Sequence, residues 1–160
     1  MSTSPVIFAI DPGINGAWAA IDYFGKFLDA GELPRFSSLL DGVALRRIIS
    51  GFNPRQAVIE RVASRPGQGT VSVFTFGTSY GICIGVLAGA MLPTAFVTPQ
   101  KWKGHFRLLG TTTKDSSVQR AVQLYPDASS HLTLKKHHGR AEALLLARYF
   151  YDMALQGEFV

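Results

Sequence analysis

A chain of 160 residues with 47% apolar and 17% charged content can bury one sizeable core, which excludes an intrinsically disordered protein. Its formal charge of +5 and isoelectric point of about 9.6 fit a binder of polyanions. The single cysteine, Cys83, excludes an internal disulfide framework and points to a reducing compartment. No signal peptide is read at the start, and no apolar run approaches the ~20 residues of a membrane span, so a cytoplasmic location away from membranes is expected. No repeat, linker or low-complexity segment divides residues 1–160, which are expected to form one domain.

In chain order, two apolar strands at 6–10 and 17–21 flank a turn built from Pro12, Gly13, Asn15 and Gly16. Asp11 closes the first strand, where core packing does not need it; it could simply cap the turn. A turn at Gly25-Lys26 leads to a third strand at 27–33, so the chain should open as an antiparallel meander that Pro34 ends. Ser38 and Asp41 form a capping-box variant ahead of Leu40, Ala44 and Ile48 at helical spacing. Gly51 reads as the C-cap, and Pro54 blocks continuation. The next strand, 57–59, follows a crossover helix and should lie parallel to the first. It too ends in an acid, Glu60, and carboxyl ends of parallel strands share one sheet edge, where α/β sites form.

The segment 73–90 reads as a long helix with Gly77, Gly81, Gly85 and Gly89 four apart. Each glycine costs ~1 kcal/mol against alanine in a helix interior. The stripe therefore implies a close approach by another backbone, with tight seating on the sheet favoured over a subunit interface. A fifth strand at 94–98, a short helix from Pro99, a helix at 115–125 and a final helix after Arg140 complete the chain. On that last helix Glu142 lies one turn beyond His138, so the two share a face. Asp11, Glu60, Glu142 and His138 make an oxygen-rich set suited to Mg²⁺ or Mn²⁺. Two such ions can activate water and stabilise the leaving oxygen of a phosphodiester.

Four motifs carry a resemblance over nearly the whole chain: Ala9-Ile10-Asp11-Pro12-Gly13, Val58-Ile59-Glu60, Thr98-Pro99-Gln100-Lys101-Trp102-Lys103, and Gly139-Arg140-Ala141-Glu142-Ala143-Leu144-Leu145-Leu146-Ala147. In β-β-β-α-β-α-β-α-α order they resemble the RNase H-like fold and, within it, the RuvC family of Holliday junction resolvases, especially its phage-type members. The resemblance implies an α/β protein with a mixed five-stranded sheet, flanking helices and the RuvC strand order. It implies a homodimeric, structure-selective endonuclease that cuts two strands of a four-way DNA junction, acting in a bacterial or phage-infected cytoplasm. Asp11, Glu60 and Glu142 match the family's metal-binding acids. The family's fourth ligand, commonly Asp and in some members His, falls on His137-His138. His138 is the better aligned, while His137 stands where phage-type relatives carry Asp.

Lys114 matches a family lysine and would stabilise charge at the scissile phosphate. Arg61, Arg65, Gln68, Lys101, Lys103, Lys135, Lys136 and Arg140 are the expected contacts to DNA phosphates. Phe74 or Phe76 could stack on an opened base, although core packing is the expectation for both. Three other readings remain open. They are a broader flap or fork nuclease, a junction-binding protein impaired in catalysis, and an actin-like ATP-binding protein. The last is disfavoured because 160 residues are too few for its two lobes.

Overall fold

A strand buried along its whole length must face two cores, and β1 (Val6–Asp11) is such a strand. Successive side chains alternate, so Phe8 and Ile10 enter one core while Ile7 and Ala9 enter the other. The computed structural model describes residues 4–13, 15–64, 66–110 and 115–158. After β1 come β2 (Ala17–Asp22), β3 (Phe27–Glu32), a small hairpin of β4 (Arg35–Phe36) and β5 (Leu39–Leu40), α1 (Gly42–Phe52), β6 (Gln56–Glu60) and α2 (Thr70–Gly89). Then follow β7 (Thr94–Val97), α3 (Pro99–His105), α4 (Asp115–Leu124), two short 3-10 turns and α5 (His138–Leu155).

The main sheet has the order β3-β2-β1-β6-β7. The first three strands form the expected antiparallel meander, and β6 and β7 add in parallel beside β1. This is the mixed five-stranded α/β architecture expected from the sequence. Helices α1 and α2 cover the face of Phe8, Ile10 and Ile59. Helices α3, α4 and α5 cover the face of Ile7, Ala9 and Val58.

Local details differ from the sequence reading in several places. Asp41, not Ser38, caps α1: its side chain accepts from the Ala44 N–H at 2.9 Å, while Ser38 sits in the turn of the β4–β5 hairpin, which the sequence did not announce. The helix ends on Asn53 in the left-handed region (φ 46°), and Gly51 lies inside it. Asn tolerates that conformation, so it caps as glycine would. Third, α2 is by length and composition able to cross a membrane, contrary to the expectation that no run reaches that length. It lies along the sheet and buries Ser79, Cys83 and Leu87 there. Burial pushes the Cys83 thiol up to about 12. The glycine stripe does not seat α2 on the sheet. A Cβ added at Gly77, Gly81, Gly85 or Gly89 would meet nothing within 4 Å, so the stripe faces away from the rest of the fold.

Helix α5 is the opposite case. A Cβ at Gly139 would lie 2.5 Å from the Asn15 carbonyl oxygen, so glycine there lets the helix begin against the β1–β2 turn. The far part of α5 is tied to α3. His105 Nε2 lies 2.8 Å from Asp152 Oδ2, and Arg148 Nε donates to Asp152 Oδ1 at 2.7 Å.

Candidate active site

Strands β1 and β6 pair in parallel, with Ile10 beside Ile59. Asp11 and Glu60 are the next residues, so the two acids end neighbouring strands at one sheet edge. Alternation puts both on the face of Ile7, Ala9 and Val58, the face that α5 covers. Glu142 comes down from the start of α5, partly buried between the buried Ala141 and Ala143. The three carboxylates sense one another. Burial first, then the charges of Glu60 and Glu142, raise the Asp11 carboxyl to about 8. The Gly13 N–H, which donates to Asp11 Oδ1 at 3.0 Å, and the Lys103 ammonium work against that rise.

Each acid has protein partners. Trp102 Nε1 donates to Glu60 Oε2 at 2.7 Å. Glu142 Oε1 lies 3.5 Å from Lys103 Nζ and accepts a long hydrogen bond from Ser117 Oγ at 3.4 Å. Among the described residues no three His, Cys, Asp or Glu side chains close to ligand distance of a common point. The donor chemistry nevertheless fits a hard divalent cation. A carboxyl pushed to about 8, by burial first and then by two neighbouring carboxylates, carries its negative charge at a cost that a bound cation would offset. Mg²⁺ and Mn²⁺ both take such oxygen donors.

The adjacent histidines are not equivalent. His137 is buried, and its Nδ1 accepts from the Leu134 N–H at 3.3 Å in the turn ahead of α5. Burial, and then Arg140 and Lys136, hold its imidazole below the usual value. His138 is the first residue of α5, one helical turn before Glu142 and half-buried.

Of the expected DNA contacts, Arg61 and Gln68 line a cavity of about 460 Å³ together with Glu60, Phe76 and Gln100. Phe76 thus borders the site, and Phe74 is 76% exposed, so neither fills a core as expected. Lys101 is exposed on α3, and Lys103 lies over the Trp102 ring, 5.1 Å from its centroid. Lys136 and Arg140 both lie 3.6 Å from Glu32, at the end of β3, and Arg140 also donates to the His131 carbonyl. Glu32 pairs with Ala17, which pairs with Asp11, so this cluster sits two strands along the same edge. Arg65, Lys114 and the side chain of Lys135 lie outside the described residues. Trp102 and Ser117 were not read from the sequence as site residues, because nothing in sequence spacing links an indole to a carboxylate 42 positions away.

No protein-family model matches the chain. Over 84 residues, 52% of its length, it is 36% identical to the chloroplastic Holliday junction resolvase MOC1 of Chlamydomonas reinhardtii. The match spans about 10% of that curated relative. Among solved structures, Thermus thermophilus RuvC in complex with a Holliday junction substrate superposes with a TM-score of 0.71 at 15% identity, covering 96% of this chain and 97% of that one. The yeast mitochondrial Holliday junction resolvase Ydc2 gives 0.63 at 14% identity, covering 96% and 82%. The fowlpox virus resolvase, in complex with its substrate Holliday junction DNA, gives 0.57 at 16% identity, covering 92% and 99%. The fold of this chain is the RuvC fold, as its four motifs led one to expect.

Proposed function

We propose that this chain is a divalent-metal-dependent endonuclease that resolves four-way DNA junctions as a homodimer. The observation that carries the reading is the convergence of Asp11, Glu60 and Glu142 from two adjacent strand ends and one helix, where the charges of Glu60 and Glu142 add to burial in raising the Asp11 carboxyl. The RuvC fold and the local identity to a junction resolvase support the choice of substrate.

Asp11, Glu60, Glu142 and His138 would hold Mg²⁺ or Mn²⁺, with two ions favoured by the number of carboxylates. The acceptor role of His137 toward Leu134 favours His138 as the fourth ligand. When bound, the ions supply a stronger water nucleophile and charge compensation for the leaving oxygen. The chain's own residues do the rest. Burial and the Gly13 N–H hold the Asp11 side chain in place. Lys103, beside Glu142, and Lys114, just ahead of α4 in the sequence, would bring positive charge toward a scissile phosphate. Arg61, Arg65, Gln68, Lys101 and Lys135 hold neighbouring phosphates, and Lys136 and Arg140 act further along the edge, where Glu32 already engages them. The site of action is the compartment holding the DNA, here read as a bacterial or phage-infected cytoplasm.

Resolution cuts two strands, and each chain carries one acid cluster, so the reaction calls for two chains. The outward glycine stripe of α2, with Val71 and Phe74 exposed on the same helix, is the surface that a second copy would cover. Sedimentation should give twice the chain mass.

The test uses a synthetic four-way junction, with linear duplex and flap controls, in Mg²⁺ and in Mn²⁺. Paired nicks in the junction alone are expected, and Asp11→Asn should bind it without cutting. Cleavage retained by Asp11→Asn overturns the metal site. Equal cutting of every substrate makes the protein a general branched-DNA nuclease. Junction binding with no cutting in either metal leaves a binding protein.

A further inference from the structure

We infer that Trp102 is a positioning residue for Glu60: its indole N–H fixes the carboxylate through which the site takes its cation. This rests on the functional reading above and extends it to a residue outside the ligand set. Trp102 is wholly buried and is the largest side chain that is. A buried indole N–H needs an acceptor. The acceptor here is Glu60 Oε2 at 2.7 Å, an ionisable oxygen that makes the bond stronger than a neutral one would.

Glu60 stands at the open end of β6, where the strand fixes the backbone but not the carboxylate. The indole is rigid and clamped in the core, so its N–H holds one oxygen at a set point. Filling the core would not by itself require tryptophan, since phenylalanine also fills space; the N–H is what Glu60 uses.

Lys103 lies over the Trp102 ring and reaches Glu142 Oε1 at 3.5 Å. Two consecutive residues of α3 thus touch the acid of β6 and the acid of α5. The helix is itself anchored, by its start directly after β7 and by His105 on Asp152 at its end. Partners of this kind, one shell out from a metal, set ligand orientation, and their loss typically costs about 10–100-fold in metal affinity or activity.

The test compares wild type, Trp102→Phe, Glu60→Gln and the double variant as full chains. Calorimetric titration with Mn²⁺ alone, without DNA, should show binding weakened about tenfold or more by Trp102→Phe. Junction affinity in EDTA should stay at the wild-type value, since the N–H touches no DNA. In the Glu60→Gln background, Trp102→Phe should change Mn²⁺ binding no further. By NMR, Glu60→Gln should move the indole N–H resonance of Trp102 and leave that of Trp18 in place. Equal loss of Mn²⁺ binding in both backgrounds means that general damage to the fold is responsible and overturns the inference. So does Mn²⁺ binding by Trp102→Phe at wild-type strength, or an indole resonance that ignores Glu60→Gln. Wild type that binds Mn²⁺ and cuts junctions while Trp102→Phe matches it overturns the inference alone. Wild type that does neither overturns the functional reading and takes this inference with it.

Discussion

Helices α5 and α2 cover opposite faces of one sheet with 18 and 20 residues, yet ten residues of α5 are buried against three of α2. The difference follows from what each face has to do. On the α5 side, apolar side chains enclose the acids and hold them against a rigid strand edge. On the α2 side, a more apolar helix keeps one face on the sheet and presents glycines outward. One face of the sheet is closed over the three acids, and the other leaves the glycine stripe of its covering helix exposed.

The contrast can be broken by substitution. The largest stability effect should come from α5. Leu144→Ala, at a fully buried position, should cost about 2–5 kcal/mol in urea unfolding, whereas Val71→Ala, exposed near the start of α2, should stay within about 0.5 kcal/mol. Equal losses would mean that the two faces are alike.

The second effect concerns charge. Asp11 in the folded chain keeps its proton up to about pH 8, while the unfolded chain releases it near 3.8. Stability from this group is therefore full below about pH 4 and drains away as pH rises toward 8. Asp11→Asn, neutral throughout, should match wild type near pH 4 and melt progressively higher by comparison as pH rises. At pH 8 without metal the gain should be at least about 2–4 °C, the shift that ~1 kcal/mol gives in a domain of this size. Mn²⁺ should raise the melting temperature of wild type more than that of the variant. A variant that melts lower than wild type at pH 8 would show that neither burial nor the neighbouring carboxylates disfavour the charge of Asp11.

A smaller substitution sharpens the other face. Gly85→Ala should stabilise the separated chain by about 1 kcal/mol, because alanine is the better helix former and nothing lies within 4 Å. In an assembled dimer that uses the glycines for close approach, the same methyl should weaken association, read as a raised dissociation constant in sedimentation. The smallest effect should be Lys136→Ala, which removes an exposed pair with Glu32 and should change stability by about 1 kcal/mol or less.

Much of the fold and part of the site were legible in the sequence. The crossover helix between β1 and β6 announced a parallel pair, and Asp11 and Glu60 at the two strand ends marked the candidate edge. Glu142 was legible from its apolar helical surroundings. The hairpin of β4 and β5 was not, because two-residue strands have no periodicity to read. Ser38 and Asp41 both suit a cap, and only the path of the chain chooses between them. The glycine stripe showed that a face existed but not what covers it. Lys136 and Arg140 looked like free cations in the sequence, because their partner Glu32 arrives from a strand a hundred residues earlier. Trp102 was hidden for the same reason, its acceptor being set by tertiary contact alone.

The buried Cys83 has a practical consequence. With its thiol pushed to about 12 and no exposed surface, it presents almost no thiolate to a reagent at neutral pH. As it is the chain's one cysteine, a cysteine introduced at an exposed place such as Phe74 would be the single reactive handle. The protein can then carry one fluorophore or spin label per chain without first removing a native thiol, and the distance between two such labels would measure directly how the α2 faces of two chains approach.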